Sequence, residues 1–337
     1  VTRITYSLEF MQISLTGIHN EPRLPATAAE MPISAVEGIN VAVIGGGLMG
    51  HAIAGLHAAA GAQVTVLESD AESRRSMHGR IHASFTPLGS ADRAVANTSV
   101  TSDSGRALSG SHIVIEAAVE KIAVKNDLVR LASRFAPESI FATNTSAIRI
   151  SDIAESHANP ELVVGTHYFN PPHLIPLVEV VPGQRTSPNT VQKIAAYLRL
   201  IDKIPAVLSS DPPGFVANRI QHAMWREALA LLEAGVADAE TIDLIVRNSF
   251  GPRLTVMGPI ENADYVGLDL TESIHSYLFP HLSSTTSPSA EVLNAVARGK
   301  LGRKTGQGIT TWTEQRAQQA TERLASHLIT TFSSRKG

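Results

Sequence analysis

Val41-Ala-Val-Ile-Gly-Gly-Gly-Leu-Met-Gly50, followed by His51-Ala-Ile-Ala-Gly-Leu-His-Ala-Ala-Ala60, decides the reading of this chain. A short apolar strand runs into a glycine turn, and the turn opens a helix. Gly45, Gly47 and Gly50 fall on the spacing G-x-G-x-x-G. In that pattern the first glycine permits the tight turn, the second lets backbone approach a pyrophosphate, and the third lets helix and strand pack closely. Leu48 and Met49 complete the loop, and the helix start offers free N–H groups and a positive dipole end. A second apolar strand, Gln63–Leu67, ends in Glu68, placed to bind a ribose 2′-hydroxyl. Strand, helix and acid together favour a dinucleotide site over a glycine turn that only packs, and the acid favours NAD over NADP.

Outward from this loop, apolar strand-like runs alternate with helical patterns as far as about Ser210. The runs are Asn40–Ile44, Gln63–Leu67, Ser111–Ile115, Ser139–Thr143, Leu162–Tyr168, Leu174–Val181 and Ile204–Leu208, with helices over Lys121–Phe135 and Thr190–Ile201. Such alternation predicts a Rossmann-like α/β fold with a doubly wound, mostly parallel sheet. Asp211-Pro-Pro-Gly214 punctuates the chain. Beyond it the β-branched runs cease, and helices are expected over Phe215–Glu233, Asp238–Asn248, Pro259–Leu278 and Ser289–Arg298. The expected organisation is a disordered extension over 1–37, a nucleotide-binding domain over 38–212, an all-α domain over 213–312 and a helical tail over 313–337. The extension carries Pro22, Pro25 and Pro32 without periodicity, and Met31 is an alternative start.

Composition narrows the function classes. A formal charge of −3 without long single-sign runs gives no nucleic-acid surface. The absence of cysteine removes disulfides, thiolate metal sites and cysteine nucleophiles, and fits a cytoplasmic protein. No metal site is expected. No apolar run reaches the roughly 18 residues that would span a bilayer, so no membrane partner is expected.

The second informative region is Gly165-Thr-His-Tyr-Phe-Asn-Pro-Pro-His-Leu-Ile-Pro-Leu-Val-Glu-Val-Val181. If its two runs form an antiparallel hairpin centred near His173, His167 lies opposite Glu179 on one face. A carboxylate on one imidazole nitrogen fixes the tautomer and leaves the other as a general base. Removing hydride from a carbinol carbon needs such a base for the hydroxyl proton. His173, in the turn, is either a substrate contact or a solvated loop histidine.

Motif by motif, the chain resembles the L-3-hydroxyacyl-CoA dehydrogenase family over Gly38 to Trp312. The matching stretches include Gly45-Gly-Gly-Leu-Met-Gly50, Glu116-Ala-Ala-Val-Glu120, Thr143-Asn-Thr-Ser146, His167-Tyr-Phe-Asn-Pro171, Pro213-Gly-Phe-Val-Ala-Asn-Arg219 and Lys304-Thr-Gly-Gln-Gly308. The resemblance implies an NAD-dependent dehydrogenase with a helical domain that forms a homodimer. It implies His167 as base with Glu179 as partner, and Ser146 and Asn218 at the substrate oxygen. Asn170 would help hold substrate or the catalytic pair, and Glu120 and Lys125 would lie beside the nicotinamide ribose. The small-molecule substrate it puts first is a short (S)-3-hydroxyacyl-CoA, as in fatty-acid metabolism.

Two departures concern that substrate. Where fatty-acid-oxidising members carry a long lysine-rich hairpin, Ser69–Asp103 is short, with Arg74, Arg75 and Arg80 and no lysine among its basic residues. The stretch Asn170-Pro-Pro-His173 is closer to relatives acting on non-thioester substrates such as L-gulonate, carnitine or pyridine alcohols. A free 3-hydroxy acid or a related small alcohol is therefore the alternative. Arg253 is either a partner for a substrate carboxylate or a surface residue. A non-catalytic NAD-binding protein of the crystallin kind is a further alternative, against which the intact His167, Glu179, Ser146 and Asn218 argue.

Overall fold

The computed structural model describes residues 36–333. Eight strands form one sheet: β1 (Asn40–Ile44), β2 (Gln63–Leu67), β3 (Thr98–Thr101), β4 (Ile113–Glu116), β5 (Ile140–Thr143), β6 (Val163–Tyr168), β7 (Leu177–Pro182) and β8 (Ile204–Val207). Their spatial order is β3-β2-β1-β4-β5-β6-β7-β8, and every neighbouring pair is parallel except β6 with β7. The chain winds outward from β1 to β3 and then crosses back to β4. The order therefore reverses between β1 and β4, and a crevice opens there beyond the strand ends.

Helices cover both faces, which is why the central strands are continuous apolar runs rather than alternating ones. On one face α1 (Gly50–Ala60), α2 (Ala71–Phe85), α3 (Ala91–Ala96) and α7 (Pro188–Leu200) enclose a core that includes Val43, Ile53, Phe85, Val164 and Tyr197. On the other, α4 (Ser104–Leu108), α5 (Ile122–Phe135) and α6 (Ile150–Ala154) pack with Ile44, Phe141 and Phe215. The fold begins slightly before Gly38. Val36 is buried in the first core, and the Glu37 carboxylate lies 3.8 Å from Arg93. The rest of the 1–37 extension lies outside the described residues.

After Phe215 the chain is helical, as expected: α8 (Ala217–Glu233), α9 (Ala239–Asn248), α10 (Pro259–Val266), α11 (Leu268–Leu278), α12 (Ala290–Ala297) and α13 (Glu314–Ser333). Pro259–Leu278 is two helices rather than one. Gly267, at φ +106°, breaks it with a backbone conformation that L side chains disfavour. The strand β3 escaped the sequence reading because Thr98-Ser-Val-Thr101 is a polar edge strand with no apolar run. Strand β7 starts three residues later than expected. The N–H groups of Leu174 and Ile175 close a turn onto the Pro171 carbonyl instead.

Candidate active site

The glycine loop leaves β1 at the switch point. Gly45 sits at φ +95°, and a Cβ on it would lie 3.0 Å from the Ala117 carbonyl oxygen. A Cβ on Gly50 would fall 1.8 Å from the Gly45 oxygen, so only glycine lets α1 start against the loop. Gly47 differs: a Cβ there would meet nothing within 4 Å. Its bareness serves no packing inside the protein and fits the close approach of a pyrophosphate. No side chain caps the start of α1; the His51 N–H turns back to the Gly47 carbonyl at 3.3 Å, and the helix start presents its positive dipole end to an anion. Leu48, two-thirds exposed, and Met49 stand at the rim. Glu68 directly follows β2 and accepts from the Gly46 N–H at 2.7 Å and from the Asp70 N–H at 2.8 Å, which aims its carboxylate along the loop. The loop, the uncapped helix and the acid fit the diphosphate and ribose of NAD.

Three strands along the sheet from β1, β6 pairs with β7 in the register that the hairpin argument predicts, with His167 opposite Glu179. The His167 Nδ1 lies 2.8 Å from Glu179 Oε2, with both residues buried. The second carboxylate oxygen, Oε1, accepts from the backbone N–H groups of Val216 and Ala217 at 3.1 and 2.9 Å. Glu179 is thus held by the start of α8. Burial pushes the Glu179 carboxyl up, but the His167 hydrogen bond and the two amides outweigh it and hold it below the ordinary range. Phe169 and Phe215 flank the imidazole at 4.6 and 5.8 Å between ring centres. The Nδ1 contact leaves Nε2 as the nitrogen for proton transfer.

Ser146 follows β5 in the loop Thr143-Asn-Thr-Ser146. The Asn218 Nδ2 donates to the Ser146 carbonyl oxygen at 2.9 Å, so α8 is joined to this loop as well as to Glu179. Glu120 shapes the loop from the other side. Its Oε1 accepts from the Thr145 hydroxyl at 2.6 Å and from the N–H groups of Ser146 and Ala147 at 2.9 and 3.1 Å. Lys125, which the resemblance puts beside the nicotinamide ribose, sits behind Glu120. It is buried, and its Nζ donates to both Glu116 oxygens at 3.0 and 2.8 Å and lies 3.2 Å from Glu120 Oε2. A buried ammonium needs such close carboxylates to offset its lost hydration. Asn170 is exposed just past β6 and precedes a cis Pro171.

Residues 40–211 match the family profile described as "3-hydroxyacyl-CoA dehydrogenase, NAD binding domain", and residues 214–312 match its "C-terminal domain". The chain belongs to this family. It is 36% identical over 296 residues, 86% of this chain and 96% of the relative, to 5-formyl-3-hydroxy-2-methylpyridine 4-carboxylate 5-dehydrogenase of Mesorhizobium japonicum. It is 34% identical over 286 residues, 80% of this chain and 90% of the relative, to the mitochondrial hydroxyacyl-coenzyme A dehydrogenase of Rattus norvegicus. A crystal structure of 5-formyl-3-hydroxy-2-methylpyridine 4-carboxylic acid 5-dehydrogenase, an NAD+-dependent dismutase, superposes with a TM-score of 0.83 at 33% identity, covering 88% of this chain and 98% of that one. This family member is an NAD-dependent oxidoreductase acting on CH–OH groups.

Glu116, the first acid of the Glu116–Glu120 motif, has a structural task that its sequence position does not disclose. It is fully buried, takes Lys125, the Thr143 hydroxyl at 2.7 Å and the Ala118 N–H at 2.7 Å, and anchors the Lys125–Glu120 contact. The sequence signal was an acid closing the apolar run Ile113-Val-Ile. The Val216 and Ala217 amides had no signal, because any residue type supplies an N–H. His173 is not a solvated loop residue: it packs on Phe85 at 5.3 Å between ring centres. Burial, aided by His51 and Lys203, lowers its pKa to about 4. Arg253 lies exposed on the short turn Gly251–Thr255.

Proposed function

We propose that this family member oxidises an alcohol group on a small free hydroxy acid, or reduces the matching carbonyl, rather than acting on a coenzyme A thioester. The geometry supports the following roles. His167, oriented by Glu179, takes the hydroxyl proton on Nε2 as the carbinol carbon loses hydride. Ser146 and Asn218 hold the reacting oxygen, and the loop contact between them sets their spacing. Gly45, Gly47, Leu48, Met49, Gly50 and Glu68 hold the dinucleotide, with Glu120 beside its nicotinamide half. Bound there, NAD supplies the hydride acceptor.

The observation that carries the substrate class is the use made of the arginines. A thioester reading needs cations for the phosphates of coenzyme A. Arg74 instead donates to the backbone carbonyl oxygens of Glu68 and Ser69, the former at 2.8 Å. Arg80 donates to the Gly46 carbonyl at 2.7 Å and to Ser73. Two of the three guanidinium groups are thus spent on bracing the nucleotide loop and the helix that follows it, which leaves the exposed Arg75 as the one cation of that trio facing solvent. The pyridine-carboxylate dehydrogenase, named above for a free acid, supports the same reading.

The test is NADH formation by the purified protein with (S)-3-hydroxybutyryl-CoA beside free 3-hydroxybutyrate, L-gulonate, carnitine and a hydroxymethylpyridine carboxylate. Turnover of a free acid without the thioester is expected. Turnover of the thioester alone would overturn the substrate class and leave the dehydrogenase standing. We further propose a homodimer formed through the helical region.

A further inference from the structure

We infer that the Glu116–Lys125–Glu120 cluster biases the cofactor site toward the oxidised, cationic nicotinamide, with Glu120 delivering the charge. The inference rests on the dehydrogenase reading above and adds a redox preference to it.

The cluster holds two carboxylates and one ammonium, so it carries one excess negative charge. Glu116 and Lys125 are closed to solvent at 0% and 1% side-chain exposure, and they spend their contacts on each other and on the protein. Glu120 keeps 41% of its side chain exposed. The excess charge is therefore presented to the crevice at Glu120. Burial works against its ionisation, but the Thr145 hydroxyl, Lys125 and the amides of Ser146 and Ala147 outweigh that and keep it charged.

The position follows from the strand order. Glu68 directly follows β2, the glycine loop directly follows β1, and His167 stands on β6. A dinucleotide that places its adenosine ribose at Glu68 and its pyrophosphate on the glycine loop must run on across the ends of β4 and β5 to reach His167. Ala117–Glu120 and Ser146 occupy those ends. The oxidised ring carries a positive charge and the reduced ring carries none. A fixed carboxylate beside it stabilises only the oxidised form.

The experiment measures Kd for NAD+ and for NADH separately, without substrate, on the full chain and on Glu120→Gln and Glu120→Asp. Loss of the charge should raise the ratio Kd(NAD+)/Kd(NADH) about five- to tenfold in Glu120→Gln. Glu120→Asp keeps the charge, so it should hold the ratio within about twofold of the wild type even if both affinities fall. A displaced Ser146 loop would weaken both forms by a common factor. Equal changes in both constants in Glu120→Gln would therefore overturn the inference and reduce Glu120 to a loop anchor. If the wild type bound neither form, the dehydrogenase reading itself would fall, and this inference with it.

Discussion

The two oxygens of Glu179 have separate tasks. One holds the His167 tautomer and the other takes two amides from the start of α8. The first was legible in the sequence, because strand periodicity puts positions 167 and 179 on one face of a hairpin. The second was not, since it depends on how far a chain of ordinary backbone donors folds back. His167→Gln should leave NAD affinity nearly intact and lower turnover by about 10² or more, checked by steady-state kinetics beside cofactor titration. An unchanged rate would remove His167 from its role. Another histidine offers a stability test. His57 is buried with Nδ1 2.7 Å from the Tyr197 hydroxyl and Nε2 3.1 Å from that of Tyr168. Burial, with Lys203 adding to it, lowers its pKa from 6.5 to about 3. The unfolded state therefore binds a proton that the folded state refuses, and stability falls as pH drops below 6.5 toward 3. By pH 5 this one group costs about 2 kcal/mol. Glutamine keeps a donor and an acceptor without titrating. His57→Gln should therefore lose less stability than the wild type between pH 8 and pH 5 in urea denaturation. Parallel losses would show that His57 is not the acid-sensitive group.

The glycine loop separates packing from binding. Gly50→Ala drives a methyl into the Gly45 oxygen, whereas Gly47→Ala points into open space. Gly50→Ala should cost about 1–3 kcal/mol or more of stability. Gly47→Ala should unfold at the wild-type midpoint and yet bind NAD at least about tenfold more weakly, because the methyl occupies the room a pyrophosphate needs. Urea denaturation and cofactor titration on both variants decide it, and normal NAD affinity in Gly47→Ala would move the cofactor off this loop. The motif spacing showed where the glycines fall, and their different neighbours came only with the third dimension. The same limit explains the element errors. Apolar runs such as Val41–Ile44 and Ile113–Ile115 announced themselves. The polar edge strand β3 did not, and Gly267 ended a helix that composition alone would have continued. The arginines of α2 were visible in the sequence, but their use on neighbouring carbonyls was not.

At the scale of the molecule the two halves differ in one physical respect. The sheet half has two continuous cores, whereas no residue from Val216 to Phe332 is buried. Apolar side chains there face solvent in numbers that a stable helical unit does not tolerate, among them Val256, Ile260, Tyr265, Leu268 and Tyr277, with Ile260 at 78% and Tyr277 at 77% exposure. Burying each such side chain is worth about 1.5–3 kcal/mol, so a surface this apolar calls for a cover. On the proposed homodimer, a second copy of the same helices would supply one with matching chemistry, and two-fold symmetry would close the contact. The coupling to chemistry is direct. The start of α8 holds Glu179 and positions Asn218, so whatever steadies the helical region steadies the base. The chain should sediment as a dimer at micromolar concentration, and its thermal midpoint should rise with concentration. Ile260→Asp combined with Tyr277→Asp should yield monomers, a lower midpoint and reduced turnover while the glycine loop still binds NAD. A wild-type chain that stays monomeric and fully active across that range would mean that α8 to α13 hold themselves together without a partner.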